Sequence, residues 1–101
     1  MDVQVADHPG QDRFEIRADG ELAGFVQYQL HASEIALTHT QIDDRFRGQG
    51  LGGRLVQAAL DEAHARNLAV LPYCPFVKNW ISGHREYAGL VPADRRRQFG
   101  L

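Results

Sequence analysis

The run Arg47-Gly48-Gln49-Gly50-Leu51-Gly52-Gly53 holds the residue types that a phosphate group needs. Glycines leave backbone N–H groups bare of side chains. At the start of a helix those donors, backed by the positive end of the helix dipole, point at an anion. Arg47 adds a fixed positive charge at the entrance. The run lies between an alternating, strand-like stretch, Glu34 to Asp43, and an amphipathic helical stretch ending near Arg66. Two further groups could do chemistry. His39 carries an imidazole, which titrates near ~6.5 when unperturbed, and Cys74 is the one thiol of the chain.

Other glycine-rich readings compete. Gly48, Gly50 and Gly53 also satisfy G-x-G-x-x-G, the dinucleotide-fold fingerprint. That pattern expects an acid at the end of the next strand to hold a ribose. Here the next strand-like run, Ala69 to Cys74, ends in cysteine, and 101 residues leave no room for two mononucleotide-binding halves. A P-loop is excluded because Gly53 is followed by Arg54-Leu55 rather than Lys-Ser/Thr. A pyrophosphate loop or a merely glycine-rich turn remains, and the strand–loop–helix context favours the loop.

The elements that position these groups can be read from periodicity. Pro9-Gly10 signals a turn, Phe14 to Arg17 alternates apolar and polar, and Asp19-Gly20 is a hairpin signal. Glu21 to Leu30 follows as a second strand, and after a break at His31-Ala32-Ser33 the third runs from Glu34 to Asp43. These form an antiparallel meander. From Leu51 to Arg66, the residues Leu51, Leu55, Val56, Ala59, Leu60 and Ala63 make one apolar helical stripe, with Asn67 suited to a left-handed C-terminal position. Ala69 to Cys74 reads as a fourth strand, parallel to the third because a right-handed crossover helix connects them. Pro72 cannot donate to a ladder, so this strand is an edge or loses pairing there. Phe76 to Ser82 looks helical, and His84 to Leu90 makes a further turn or short helix.

At 101 residues the chain is a single domain, residues 1–101, with one core. An apolar fraction of 44% and a charged fraction of 24% are those of an ordinary soluble protein. A net charge of −2 excludes a basic nucleic-acid footprint. One cysteine permits no internal disulfide, which suits a reducing compartment. No signal-like or membrane-spanning run is present, so a cytoplasmic location with no membrane partner is expected. No metal site is expected. Residues 93–101, with Arg95-Arg96-Arg97, read as a solvated, mobile end.

The Arg47-x-x-Gly50-x-Gly52 loop is accompanied by a His39-Thr40 pair, by Cys74 closing the fourth strand before Pro75-Phe76, and by His84-x-x-Tyr87. Together, over about Leu37 to Leu90, these marks resemble the small single-domain GCN5-related N-acetyltransferase-like family. The resemblance implies a compact α/β fold, an antiparallel meander plus a parallel β-α-β unit, without the usual two N-terminal helices that wall the acceptor site. It implies acetyl-coenzyme A as cosubstrate and an amine, on a small molecule or a protein, as acceptor. Arg47, Gly48, Gln49, Gly50, Leu51, Gly52 and Gly53 would hold the pyrophosphate, Ile42 would touch the pantetheine arm, and Asn79 would reach the cofactor. Pantetheine would lie where the third and fourth strands part and borrow their free backbone groups. Gln41 departs from the Glu more common in the family at that position, so no carboxylate base is available there.

Acetyl transfer to an amine needs a base, a held carbonyl and a proton for the leaving thiolate. His39 is the first candidate base, against a structural histidine. Cys74 is a candidate nucleophile, against a small buried hydrophobe. Strand parity places His39 on the face of Ile35 and Leu37 and Cys74 on that of Val70 and Pro72, so the two are expected to meet across the splay. Tyr73 and Tyr87 are candidate acids, against packing roles. Direct transfer is the default route. The alternative function is a non-catalytic acyl-coenzyme A binding or sensing module.

Overall fold

The computed structural model describes residues 1–101. Five strands form one sheet in chain order: β1 (Val3–His8), β2 (Arg13–Ala18), β3 (Glu21–His31), β4 (Glu34–Ile42) and β5 (Ala69–Pro72). β1 to β4 pair antiparallel, and β5 joins β4 in parallel. Helix α1 (Leu51–Ala65) makes the crossover, and α2 (Pro75–Gly83) follows β5.

Local chemistry explains most of these boundaries. Asp19 and Gly20 both take positive φ (+50° and +84°), the mirror-image hairpin turn that matches strand twist. All six residues of the α1 stripe are buried, and they pack on Phe14, Ile16, Val26, Ile35 and Leu37 from one face of the sheet. Asn67 ends the helical turn with φ +58°. β1 adds a strand to the expected meander. Val3 and Val5 alternate with polar residues and pack against the core, a pattern too short to stand out beside Pro9-Gly10.

Two expectations are corrected. The register of β4 shifts between its pairs Leu37↔Tyr28 and His39↔Gln27, so Thr38 is an extra residue. A bulge of this kind reverses strand parity beyond it, and His39 therefore leaves the face of Ile35 and Leu37. The C-terminal segment is also not a solvated end. Phe99 is buried, its ring edge-on to Tyr73 at 5.2 Å, and Arg96 Nε donates to the carbonyls of Ala88 and Val91. One aromatic anchor outweighs the arginine run around it.

The sheet face opposite the helices is polar and internally satisfied. Glu15 is buried there, with Arg13 at 2.7 Å, His8 at 3.1 Å and Arg17 at 3.3 Å. Burial alone would raise its pKa. The hydrogen bond from Arg13 and the charges of His8, Arg13 and Arg17 win, and hold it below the ordinary carboxylate value. The stability Glu15 contributes is therefore complete above the unfolded value near ~4.3 and drains away as pH falls through the lower folded one. Thermal melts should show Glu15→Gln below the parent at pH 7 and the gap closing toward pH 3. A gap that stays constant over that range would contradict this assignment.

Candidate functional site

β4 and β5 stay paired for four residue pairs only, from Glu34↔Ala69 to Leu37↔Pro72. Beyond Pro72 the chain turns away, Cys74 N–H donates to the Leu37 carbonyl at 2.9 Å, and α2 starts at Pro75. β4 continues to Ile42, so its outer edge from Thr38 onward has no strand beside it. The sheet opens at this point into a gap between β4 and the start of α2.

The glycine loop stands at the mouth of that gap. A cavity of about 270 Å³ is lined by Ile42 of β4, by Arg47, Gly48 and Gly50 of the loop, by Leu51, Gly52 and Gly53 of the first helical turn, and by Phe46 and Phe76. Gly48 and Gly50 have φ of +78° and +74°, which other residues adopt only with strain. Gly50 caps α1 without a side-chain hydrogen bond, and the first backbone bond of the helix runs from Arg54 N–H to Gly50. The N–H groups of Leu51, Gly52 and Gly53 therefore have no intrahelical acceptor and are free for an anion.

Gly52 and Gly53 answer to packing as well. A Cβ at Gly52 would lie 2.7 Å from the ring of Phe76, and one at Gly53 would lie 3.2 Å from the Trp80 indole nitrogen. α2 presses its aromatic side chains onto the start of α1, and a side chain at Gly52 would have to push the Phe76 ring aside. Arg47 is 76% exposed and held by Asp44 at 2.8 Å, a surface pair that a stronger anion can displace. Gln49 and Asn79 are exposed and lie outside the cavity lining.

The candidate catalytic residues are not brought together. Cys74 is buried, 4% exposed, and its Sγ lies 3.3 Å from Thr40 Oγ1 across the gap. His39, put on the other face by the bulge, is exposed, with its Nε2 3.5 Å from Gln41 Oε1 and its ring beside Phe25. Thr40 thus occupies the place expected for His39. The two tyrosines are engaged elsewhere. Tyr73 OH accepts from Arg95, and Tyr87 OH donates to Asp61 at 2.9 Å, a bond that, with burial, raises its pKa.

Thr40, Phe46, Phe76 and Trp80 were not among the expected site residues. The Cys74-Pro75-Phe76 run is the one signal that could have brought in Phe76, because proline at the first helical position fixes where that helix starts.

A sheet that parts beside a glycine loop feeding a helix defines an α/β domain of the N-acetyltransferase type. The chain belongs to the GCN5-related N-acetyltransferase family, whose model matches residues 13–90. The solution structure of a GCN5-like protein from Staphylococcus aureus is similar with a TM-score of 0.68 and 23% identity, over 88% of this chain and 87% of that one. The ribosomal-protein-S18-alanine N-acetyltransferase of Escherichia coli gives 0.55 and 29%, over 57% and 38%. Ard1 of Thermoplasma volcanium gives 0.51 and 23%, over 58% and 40%. The chain thus spans well under half the length of the last two. No curated protein sequence matches it.

Gly50→Glu would place a side chain and a negative charge at the mouth of the cavity, against the helix dipole. Since a Cβ there meets open space, the fold should survive apart from the strain of positive φ. Calorimetry should show coenzyme A binding to the parent and not to the variant; equal affinity would remove the loop from anion binding.

Proposed function

We propose that this chain is an acetyl-coenzyme A-dependent N-acetyltransferase of the cytoplasm, acting on an amine of a small molecule or protein. The parting of β4 and β5 directly beside the glycine cavity carries the reading. The free N–H groups of Leu51 to Gly53, with Arg47, suit a pyrophosphate. Ile42 and the unpaired edge of β4 suit the pantetheine arm, whose amides would replace the missing strand. Phe46 and Phe76 supply apolar walls. Acetyl-coenzyme A fits these residues, and its thioester supplies the activated acetyl group.

α1 and α2 cover one face of the sheet, so the amine approaches over the polar face, where His39 stands. There His39 would take the amine proton as nitrogen attacks the thioester carbonyl, and as the carbon–sulfur bond breaks coenzyme A would leave as a thiolate that takes a proton back from the imidazolium. A cysteine-linked route requires an imidazole beside Cys74, and Thr40 occupies that place. That supports direct transfer, with Cys74 and Thr40 shaping the gap.

Purified protein mixed with acetyl-coenzyme A and a panel of amines should release free thiol. His39→Ala should slow turnover by about 10²–10⁴-fold, while Cys74→Ser should still turn over, with no acetyl mass accumulating on the parent. An acetylated Cys74 on the intact protein would overturn direct transfer. Tight coenzyme A binding without thiol release for any amine would instead favour a non-catalytic acyl-coenzyme A binding module.

A further inference from the structure

The sheet has two outer edges, and they are built differently. At one, β5 is four residues long and contains Pro72, features that discourage a further strand. At the other, β1 runs for six residues, pairs with β2 without a bulge, and contains neither proline nor lysine. Its one acid, Asp7, does not guard the edge either, because Tyr28 and Arg66 hold its carboxylate at 2.6 and 2.9 Å. A regular edge of this kind is a template for another strand.

The groups this edge offers follow from its inner pairing. Asp19 N–H donates to the Asp2 carbonyl, so in this antiparallel ladder Asp2, Gln4, Ala6 and His8 turn their backbone groups to β2. Val3, Val5 and Asp7 turn theirs outward, past the last strand of the sheet. These three are spaced symmetrically about Val5. A two-fold axis there pairs Val5 with Val5 of a second copy, Val3 with Asp7 and Asp7 with Val3, and each pair exchanges two backbone hydrogen bonds. The side chains agree with that register. On the helix face Val3 and Val5, half-buried and already packed on the core, lie along the seam. On the polar face Gln4 meets Ala6. Asp2, whose carboxylate has no partner within the chain, meets the half-exposed imidazole of His8. No like charges face each other.

We propose that β1 is a self-association surface, on which a second copy of this chain adds its own β1 antiparallel and joins two five-stranded sheets into one. A strand of an unrelated protein would find the same free backbone groups. It would not find the match of Asp2 with His8, which the two-fold axis supplies at both ends of the seam. A seam of one short strand per copy falls at the low end of specific interface sizes, so the dimer forms reversibly as concentration rises. β2 and β3 separate β1 from β4, so the glycine cavity stays open in both copies. The proposal therefore does not rest on the acetyltransferase reading.

Sedimentation velocity from about 1 µM to about 1 mM tests it, since a modest interface dissociates within that range. The parent should move from the mass of one chain to that of two. Over the same range the amides of Val3, Val5 and Asp7 should become protected from hydrogen exchange, while that of Val70 in β5 should not change. Val5→Pro removes only an outward N–H and leaves the β1–β2 ladder intact. It should keep the parent's far-UV circular dichroism and stay a single chain throughout. Val5→Cys puts one thiol of each copy at the axis, where paired Cα atoms lie about 5.5 Å apart, within disulfide range. Mild oxidation should cross-link it, and should not cross-link Val3→Cys, which faces Asp7; Cys74 is buried and does not compete. A parent that stays a single chain at the highest concentration, or a dimer whose protection falls elsewhere than on β1, would overturn the proposal. So would a folded Val5→Pro variant that dimerises, or cross-linking no faster at position 5 than at position 3. The measurements on the parent decide the matter even if a variant fails to fold.

Discussion

The end of the β4–β5 ladder at Leu37 and Pro72 is the constraint on which the rest of the molecule depends. The N–H of Ala69 points at β4, and by strand alternation Tyr73 N–H would carry the ladder on. It bonds instead to the Leu71 carbonyl at 3.1 Å, so the ladder stops, while Pro72, whose nitrogen faces the open side, is tolerated because β5 is an edge strand. The backbone bond from Cys74 to Leu37 then turns the chain, and Pro75, with φ already set for a helix, starts α2 at once. β4 has no such stop and runs on to Ile42. A gap between strand and helix follows from these few residues, and it exposes backbone groups that a folded chain ordinarily pairs.

The glycine loop is adapted to that gap in two ways. Gly48 and Gly50 hold backbone conformations that leave N–H groups bare at the helix start. Gly52 and Gly53 cost the first turn of α1 roughly 1 kcal/mol each in helix propensity. In return Phe76 and Trp80 reach the helix, and burying part of an aromatic side chain offsets a cost of that size. The residues that make room for an anion and those that lock α2 onto α1 are thus neighbours on one turn. A bulky substitution at Gly52 would damage the packing and the cavity together, and activity alone could not separate the two.

How much could be read in advance depended on the range of the interaction. The α1 stripe, the Asp19-Gly20 turn and the crossover are local patterns repeated over several residues, and they were legible. Apart from Phe76, the residues that line the glycine cavity come from a strand, a loop and a helix that follow one another in the chain, which is why Arg47 and the loop glycines stand out locally, whereas Ile42 was brought in by the family resemblance. The Thr38 bulge was not. One inserted residue leaves the composition of β4 unchanged yet exchanges the places of His39 and Thr40, and period-two reading has no means of seeing it. Phe99 was hidden for a related reason: its partner, Tyr73, is far away in sequence and the intervening chain is strongly charged.

The central claim is that the unpaired edge of β4 takes a pantetheine arm in place of a strand. Hydrogen exchange of the individual amides of Thr38 to Ile42, followed with and without saturating coenzyme A, tests it most directly. The account predicts that amides on the free edge of this segment, fast-exchanging in the free protein, become protected in the complex together with those of Leu51 to Gly53. Protection confined to the helix start, with exchange along β4 unchanged, would contradict it.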